Sequence, residues 1–439
     1  MSVEKPHSVH QGLSEVVWYI EALQDNPDLE GRVVHLHNLH REVHPGTSGI
    51  ETTVESPVRA EIVGGHTDYN AGLVLAAAIS TRSTIFALSP RGDGEVHVYS
   101  DGYSKKPVVL SLDSLRAGLE LAQQPELRWT DYLRSVLHHL PVDDDDLVGA
   151  DVTIMSNAPT TGGVSTSASL EVGFGMGMLS LSGIEVNPLE LANSCQVAEN
   201  AMGIPCGQLD QWSVALSEEG KFLLLDFQSD SYEAVEVDLG DNSFVIAVDP
   251  RIKRNLGDSG YPARRRACEN SLPIWSGILE REVASLRELS PDEFGRHRGA
   301  FVQRAEEGGL DGEMIVRRVR HVVFENARVE EAVNALGVGD IARFGRVLTA
   351  SGESALGFYD LDEGTPELSH LLSSSLEVDG VIGARNMGGG FSAVILALVE
   401  NGEFDSFQVS LQDKYRQEFQ GDLDYIQFSP SQGARVLRL

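Results

Sequence analysis

The chain has 439 residues, of which 41% are apolar and 7% aromatic, so it is long enough to form two globular domains with buried cores. Its formal net charge of −32 argues against binding to nucleic acid or to an anionic membrane, because both require basic surface. Three widely spaced cysteines, and the absence of any apolar run near the ~20 residues that a membrane helix needs, favour a cytoplasmic protein with reduced thiols.

The first third of the chain mixes helical and strand patterns. Apolar residues recur at helical spacing over Leu13–Leu23 and again over Trp129–Leu140, which predicts a helix in each segment. Runs rich in β-branched and aromatic residues predict strands at Leu73–Ile79, Ser83–Leu88 and Val96–Tyr99. A mixed α/β architecture is therefore expected from the start of the chain.

A short polar turn follows the apolar segment that ends at Gly64 and Gly65. His66, Asp68 and Tyr69 crowd into this turn. Polar side chains beside paired glycines suit recognition of a ligand rich in hydroxyl groups, since each hydroxyl both donates and accepts hydrogen bonds. A plain Asx-type turn between two strands explains the same residues and stays open as the alternative.

A glycine- and serine-rich stretch, APTTGGVSTSASLEV, occupies Ala158–Val172. Its glycines would let the backbone approach a ligand, and a helix beginning at its serines would direct free N–H groups at an anion. It is not a P-loop, because the lysine of that motif is missing. An ordinary loop remains possible from the residues alone, and the apolar residues that alternate with glycines up to Met178 are typical of a strand.

The next helix carries clear boundary signals. Asn187 is a good N-cap, Pro188 suits the first helical position, and Gly203 supplies the stop. Beyond it, a turn containing proline and glycine separates Glu199 from Asp210. A carboxylate between apolar segments needs a partner, and a metal, a proton-donating substrate or an arginine would each serve.

The second half begins with predicted strands at Phe222–Asp226 and Phe244–Val248, and the domain boundary is placed between them, giving domains 1–229 and 230–439. A basic cluster follows at Arg251–Glu269, which indicates either compensation of a bound phosphate or a helix face that neutralises acidic neighbours. Gly383–Val399 predicts a glycine loop leading into an apolar strand, although a hairpin turn would use the same glycines.

Seven of these segments, in this order, resemble the galactokinases within the GHMP family of small-molecule kinases, and the likeness covers almost the whole chain. They read RAEIVGGHTDYNAGLVL, RWTDYL, APTTGGVSTSASLEV, AENAMGIPCGQLDQW, SGYPARRRACE, GARNMGGGFSAVILALV and PSQGARVL. The resemblance implies a two-domain α/β (α+β) fold: an N-terminal mixed domain, a ferredoxin-like C-terminal domain and an active site in the cleft between them. It also favours a helix after Ser167.

The resemblance further implies the transfer of the ATP γ-phosphoryl group to the anomeric hydroxyl of galactose or a similar sugar, with Asp210 and Arg59 as catalytic residues. Ser167 and Glu199 would hold Mg²⁺. Sugar contacts are expected from Gly65, His66, Asp68, Gly207, Tyr261 and Glu61, and contacts to the ATP phosphates from Gly162, Gly163, Ser165, Thr166, Ser167, Ala168 and Ser169. Mg-ATP and a small sugar are the expected partners, and the protein is expected to be a monomer or weak dimer.

Two departures from the family concern the sugar turn. Gly65 stands where the family carries a glutamate that holds the C6 hydroxyl of galactose, and Glu61 replaces the family's asparagine. The loss at position 65 is expected to open space and delete a negative charge, so a galacturonate or arabinose 1-kinase is an alternative. On a strand, Glu61 would share a face with Arg59, and the two are expected to pair.

Other departures concern the metal and the nucleotide. The segment from Glu199 to Gly203 is one residue shorter than in galactokinases, which calls the metal role of Glu199 into question. Met387 replaces a threonine, and Ser392 and Ala393 replace a pair of glycines, so a reshaped nucleotide lid is expected.

A different functional class remains open, namely a sensor that binds ATP and sugar without turnover. Such regulators tend to lack the Ser-Ala pair of the phosphate loop. The chain retains Ser167 and Ala168, and Asp210 is intact, so the enzyme is the favoured interpretation.

Overall fold

The fold was analysed in a computed structural model that describes residues 29–47, 49–142, 146–159, 163–204, 206–252, 260–389 and 392–437. The predicted helix at Leu13–Leu23 lies outside these residues. In the described chain, no helix combines the length and the apolar character that crossing a bilayer would require.

The first half of the chain contains both strands and helices. The strands of this half are β1 (Thr52–Val63), β2 (Leu73–Arg91), β3 (Glu95–Ser100), β4 (Val108–Ser111), β5 (Gly149–Ser156), β6 (Lys221–Asp226) and β7 (Ser231–Glu236). The helices are α1 (Leu29–Val43), α2 (Leu112–Ala117), α3 (Trp129–His139), α4 (Thr166–Leu181), α5 (Pro188–Ala201) and α6 (Leu209–Leu216). The predicted strands and the Trp129 helix are confirmed, with two of the strands merged into the long β2.

The second half is richer in helices. Its helices are α7 (Tyr261–Leu279), α8 (Pro291–Glu307), α9 (Gly312–Gly337), α10 (Ile341–Tyr359), α11 (Pro366–Leu376) and α12 (Phe404–Glu418). Its strands are β8 (Asn242–Val248), β9 (Val381–Asn386), β10 (Val394–Glu400), β11 (Asp424–Phe428) and β12 (Arg435–Val436). Gly388 and Gly389 therefore belong to the connection between antiparallel β9 and β10.

Two sheets organise these elements. The larger has the order β12-β1-β2-β5-β3-β4, with β6 and β7 continuing from β2, and only β3 and β5 pair in parallel. The smaller is an antiparallel sheet of order β11-β8-β10-β9. The predicted mixed α/β class is confirmed. The domain division at 229/230 stays a prediction; β7 pairs with β6 of the larger sheet, and β12 brings the end of the chain back to β1.

α4 shows why the strand-like glycine pattern forms a helix. The helix is apolar on every side and buried, which is typical of a helix enclosed by the core. Its glycines allow it to press against the larger sheet, since a Cβ on Gly173 would lie 2.3 Å from the Phe86 ring and one on Gly177 would lie 2.9 Å from Leu88. Close packing therefore explains glycines that otherwise lower helix propensity.

The functional segments meet where the two sheets face each other. One apolar core joins Ile62 and Leu75 of the larger sheet to Phe244 and Leu396 of the smaller sheet. β1 is buried along its whole length, so polar side chains on it must find partners inside the protein. The charged residues Arg59 and Glu61 of β1 therefore form ion pairs inside the protein.

Candidate active site

The centre of the candidate site is an ion pair between β1 and the first turn of α6. Arg59 donates from Nε (2.9 Å) and Nη2 (2.6 Å) to Oδ1 of Asp210, and from Nη1 to the carbonyl of Gly163. The side chain of Arg59 is 6% exposed and that of Asp210 is 26% exposed. The arginine is therefore buried behind a carboxylate that still reaches solvent.

A second carboxylate lies beside this pair, in the last turn of α5. Glu199 is buried, and its side chain is hydrogen-bonded to Ser167 and Gln211, the latter at 2.7 Å from Nε2. Burial and the negative charge of Asp210 raise the pKa of Glu199. Although the segment after Glu199 is one residue shorter, the Glu199 side chain still points into the site. The structure brings Arg59, Ser167, Glu199 and Asp210 together.

Sequence reasoning missed the residues that hold Glu199. Nε2 of Gln211 also donates to Glu171 (3.0 Å), which is fully buried on α4. Burial and the charge of Glu199 raise the pKa of Glu171 well above its usual value. A glutamate within an apolar helix is a signal in itself, because a buried carboxyl group requires a hydrogen-bonding partner.

The described part of the glycine–serine stretch forms the turn before α4. Gly163 and Ser165 adopt left-handed φ angles of 62° and 57°. The Oγ atom of Ser165 is buried and has no hydrogen-bond partner among the described residues. The first N–H groups of α4, at Thr166–Ala168, have no carbonyl within the helix to bind, so this turn can accept an anion. Gly162 lies outside the described residues.

Two of the residues predicted to bind ATP use their hydroxyl groups for hydrogen bonds within the protein. Ser169 is buried, its Oγ donates to the carbonyl of Ser56 (2.7 Å), and its N–H donates to the carbonyl of Ser165. The Oγ1 of Thr166 donates to the carbonyl of Pro159 (2.6 Å). Helix geometry therefore directs the Ser169 side chain at β1 and away from the expected phosphates, and Thr166 keeps only its backbone N–H for a ligand.

The polar turn after β1 holds His66 in a fixed orientation. His66 has a left-handed φ of 64°, and its Nδ1 lies 2.9 Å from the hydroxyl of Tyr69, which lies 2.8 Å from the hydroxyl of Tyr359. Burial lowers the pKa of His66 well below its usual value, so the ring is neutral. Its Nε2 is buried without a partner among the described residues, and a ligand hydroxyl would satisfy it.

Asp68 and Gly207 fit each other closely. A Cβ on Gly207 would lie 1.8 Å from Oδ2 of Asp68, so any larger residue at this position would displace the Asp68 carboxylate. Burial raises the pKa of Asp68 to about 7. The ring of Tyr261, the first residue of α7, lies 5.6 Å from the ring of His66 and 5.2 Å from that of Tyr69. The predicted sugar-contacting residues therefore surround one turn.

The expected consequences of Gly65 and Glu61 need correction. Glu61 pairs with Arg385 of β9 (2.7 Å to Nη2), and Arg59 pairs with Asp210 instead. A Cβ on Gly65 would lie 2.7 Å from Nη2 of Arg385 and 3.0 Å from Oε1 of Glu61. Position 65 therefore opens onto no empty space, and a carboxylate remains beside it. Burial raises the pKa of Glu61, while the charges of Arg385 and Arg59 oppose this effect.

The basic cluster does not form a phosphate site among the described residues. Arg251 pairs with Asp249, and Arg265 pairs with Glu269. Arg264 is buried and donates to the carbonyls of Tyr359 (2.8 Å) and Asp360. These contacts support the interpretation in which the cations are balanced by nearby acceptors, and Lys253 and Arg254 lie outside the described residues.

The donors around Glu199 suit a hard cation. Ser167 offers a hydroxyl and Glu199 a buried carboxylate, and Mg²⁺ prefers oxygen ligands of this kind. Among the ion pairs of the described residues, none involves Glu199, so its charge has no cationic side chain as partner. The donor set therefore fits Mg²⁺. Met387, which replaces a threonine, is buried in the apolar core between the two sheets.

Comparison with known protein families matches two parts of the chain. Residues 131–218 match the model of the GHMP kinase N-terminal domain, and residues 38–90 match the galactokinase galactose-binding signature. The second range contains the polar turn and the first contains the glycine–serine stretch. The chain is 32% identical to a galactokinase of Lacticaseibacillus casei (strain BL23) over 390 residues, which are 88% of this chain and 95% of that protein.

Solved structures agree with these matches. The crystal structure of Lactococcus lactis galactokinase complexed with galactose superposes with a TM-score of 0.81 at 29% identity, covering 92% of this chain and 100% of that one. A mevalonate kinase structure shares the fold with a TM-score of 0.58 at 13% identity, covering 87% of this chain and 100% of that one. By its sequence relatives, its signature and its fold, the chain belongs to the galactokinases of the GHMP kinase family.

Proposed function

We propose that the protein is an ATP-dependent sugar 1-kinase whose substrate is galactose. The observation that carries this proposal is the convergence of the Arg59–Asp210 pair with Ser167 and Glu199 at the N-terminus of α4, beside the turn of His66 and Asp68. The galactokinase relative and the galactose complex of the Lactococcus lactis enzyme support the choice of sugar.

The reaction is an in-line transfer. The oxygen of the sugar C1 hydroxyl attacks the γ-phosphorus, the bond to the bridging oxygen of ADP breaks, and the hydroxyl proton passes to Asp210. Both bonds from Arg59 end on Oδ1 of Asp210, which leaves Oδ2 for the substrate hydroxyl. The guanidinium of Arg59 would also stabilise the negative charge that develops on the transferring group.

The phosphates are held by backbone rather than by a lysine. The N–H groups at the start of α4 and the orphan hydroxyl of Ser165 donate to phosphate oxygens, aided by the helix dipole. Ser167 and Glu199 would hold Mg²⁺, which neutralises phosphate charge when it is bound. Gly388 approaches Gly163 closely and narrows the phosphate end of the site: a Cβ on Gly388 would lie only 3.4 Å from the Cα of Gly163.

Galactose is favoured over galacturonate and arabinose by the position of Glu61. Glu61 already balances the charge of Arg385 beside Gly65, so this pair offers no free cation to a sugar carboxylate at C6. His66, Asp68 and Tyr261 offer donors and acceptors for the ring hydroxyls.

The test is an ADP-release assay with Mg-ATP over galactose, galacturonate, arabinose, galactosamine derivatives and glucose, with phosphorus NMR to locate the new phosphate. We expect turnover with galactose and phosphate on C1. Asp210→Asn serves as the inactive control. If calorimetry shows that galactose and ATP bind but no sugar is turned over, the proposed enzyme activity is wrong and the protein is a sensor.

A further inference from the structure

The polar turn between β1 and β2 is held from the other half of the molecule by one short stretch of α9. We propose that His321, Glu325 and Asn326 are positioning residues that fix the backbone of the sugar-binding turn, Gly64–Leu73. This inference rests on the proposed function only in calling the turn sugar-binding. None of the three residues touches the reacting groups.

Glu325 fixes the start of the turn. Its Oε1 accepts hydrogen bonds from the N–H of Gly64 (3.0 Å) and the N–H of Gly65 (3.3 Å), and also from the hydroxyl of Ser351. Its Oε2 accepts from Nε of Arg328 (2.7 Å). Gly64 has a left-handed φ of 113°, so this turn uses a backbone conformation that is accessible mainly to glycine and needs anchoring.

His321 and Asn326 complete the anchoring. A carbonyl only accepts, so Nε2 of His321 must donate to the carbonyl of Gly65 (3.0 Å), and Nδ1 then accepts from the hydroxyl of Ser354 (2.9 Å). Oδ1 of Asn326 accepts from the N–H of Leu73 (2.8 Å), at the other end of the turn. One helix therefore bonds both ends of the turn.

The three anchoring side chains are buried, so they depend on these hydrogen bonds. The three side chains are at most 4% exposed, and a polar group buried to this degree requires its partners. Burial alone would raise the pKa of Glu325, but the nearby cations Arg328 and Arg385 and the bond from Ser351 lower it below the usual value. Burial lowers the pKa of His321 to about 4, in keeping with the neutral ring that the two bonds require.

The position of the turn decides the position of the ligand groups on it. Gly65 precedes His66 directly, and the His66 carbonyl accepts from Nδ2 of Asn70 (2.9 Å), so the turn moves as one unit. A displacement of about 1 Å at a binding residue costs on the order of a hundredfold in activity. Loss of the hydrogen bonds from α9 should therefore weaken the binding of the sugar, while the ATP end of the site, which is held by α4 and α6, keeps its geometry.

The test uses the full chain with four variants. Glu325→Leu removes both acceptors, Glu325→Gln keeps one oxygen for the glycine N–H groups, and His321→Phe keeps the ring volume but loses both bonds. Glu331→Gln on the same α9 removes an equal charge from the pair with Arg343 and has no contact with the turn, so it is the matched control.

We expect Glu325→Leu and His321→Phe to raise the KM for galactose by about tenfold or more while the KM for ATP changes less than about twofold. Glu325→Gln should recover most of the loss, and the control should match the wild type. Equal rises in both KM values, or an unchanged KM for galactose in folded protein, would overturn the proposal.

A second measurement does not depend on turnover. Hydrogen exchange by mass spectrometry should show faster exchange over Gly64–Leu73 in the two disruptive variants and unchanged exchange in the control and in the α4 peptide. If the wild type phosphorylates no sugar, the proposed function fails, and this exchange pattern still decides the positioning role. Should Glu325→Leu not fold, His321→Phe decides it; unchanged exchange there would contradict the proposal.

Discussion

The two ends of the candidate site are built in different ways. The phosphate end uses residues of the first half of the chain, where Arg59 meets Asp210, Ser167 meets Glu199, and α4 supplies N–H groups. The sugar end, by contrast, also depends on the second half: Glu61 pairs with Arg385, and the backbone of Gly65 is bonded by α9. A substitution at the sugar end must therefore be judged together with its distant partner.

The largest effect is expected at the phosphate end, from Asp210→Asn. An amide cannot take the proton of the sugar hydroxyl, so kcat should fall by a factor on the order of 10²–10⁴. Galactose binding should survive, because His66 and Asp68 remain in place. ADP release measures the first effect and calorimetry the second, with Asp292→Asn on the surface as the control. Unchanged turnover would remove Asp210 from its proposed role.

The next effect tests the dependence of the sugar end on a distant partner. Glu61→Gln leaves the guanidinium of Arg385 buried without an anion, and breaking a buried pair in this way costs about 3–5 kcal/mol of stability. The positive charge left beside Gly65 should also favour a substrate with a C6 carboxylate. Thermal unfolding measures the cost, and the ratio of kcat/KM for galacturonate to that for galactose measures the preference.

The control for this prediction is Glu331→Gln, which breaks the exposed pair with Arg343. Exposed pairs contribute about 0–1 kcal/mol, so its unfolding temperature should stay near that of the wild type. Equal losses in both variants would mean that burial of the Glu61–Arg385 pair has no special weight. An unchanged sugar preference in Glu61→Gln would mean that the pair does not face the substrate.

Restoring a glutamate at position 65 sharpens the same comparison. In Gly65→Glu the new side chain meets Arg385 and Glu61 at once, so the KM for galactose should rise, by about tenfold. The double variant Glu61→Asn with Gly65→Glu removes the second carboxylate and should recover most of the loss. The coupling energy between the two substitutions should lie within about 0.5–3 kcal/mol.

A double-variant cycle on the KM for galactose provides the measurement. Additive effects of the two substitutions would show that Glu61 and position 65 do not share one space. The sequence-based expectation that Gly65 opens space is thereby tested as well, since a Cβ at this position would lie against Arg385 and Glu61.

The sequence predicted the phosphate end better than the sugar end for a physical reason. Asn187 and Pro188 mark a helix locally, and the residues around Asp210 carry a recognisable pattern, so short motifs were enough. The partner of Glu61 lies 324 positions along the chain, and no local rule selects Arg385 over Arg59, which shares a strand face with Glu61. Spacing gives the face of a strand but not the element that covers it.

The sequence of α9 contains a signal for its buried polar residues. His321 and Glu325 are four residues apart, so they share one helix face, and they stand among the buried valines 319, 322 and 323. Polar groups among apolar neighbours are costly unless bonded, which predicts a buried partner for each. The identity of that partner, the backbone of the turn 256–261 positions away, required the fold.

The smallest predicted effect is a pH dependence that should appear at the sugar end of the site and not at the phosphate end. Asp68 has a pKa of about 7 because burial penalises its charged form. The ionised carboxylate can only accept hydrogen bonds from sugar hydroxyls, and protonation removes part of this acceptor capacity. The KM for galactose should therefore rise a few-fold as the pH falls from about 8 to about 6, while the KM for ATP changes little. In Asp68→Asn the KM should be raised at every pH and lose this dependence. A pH profile that persists unchanged in this variant would assign the titration to another group.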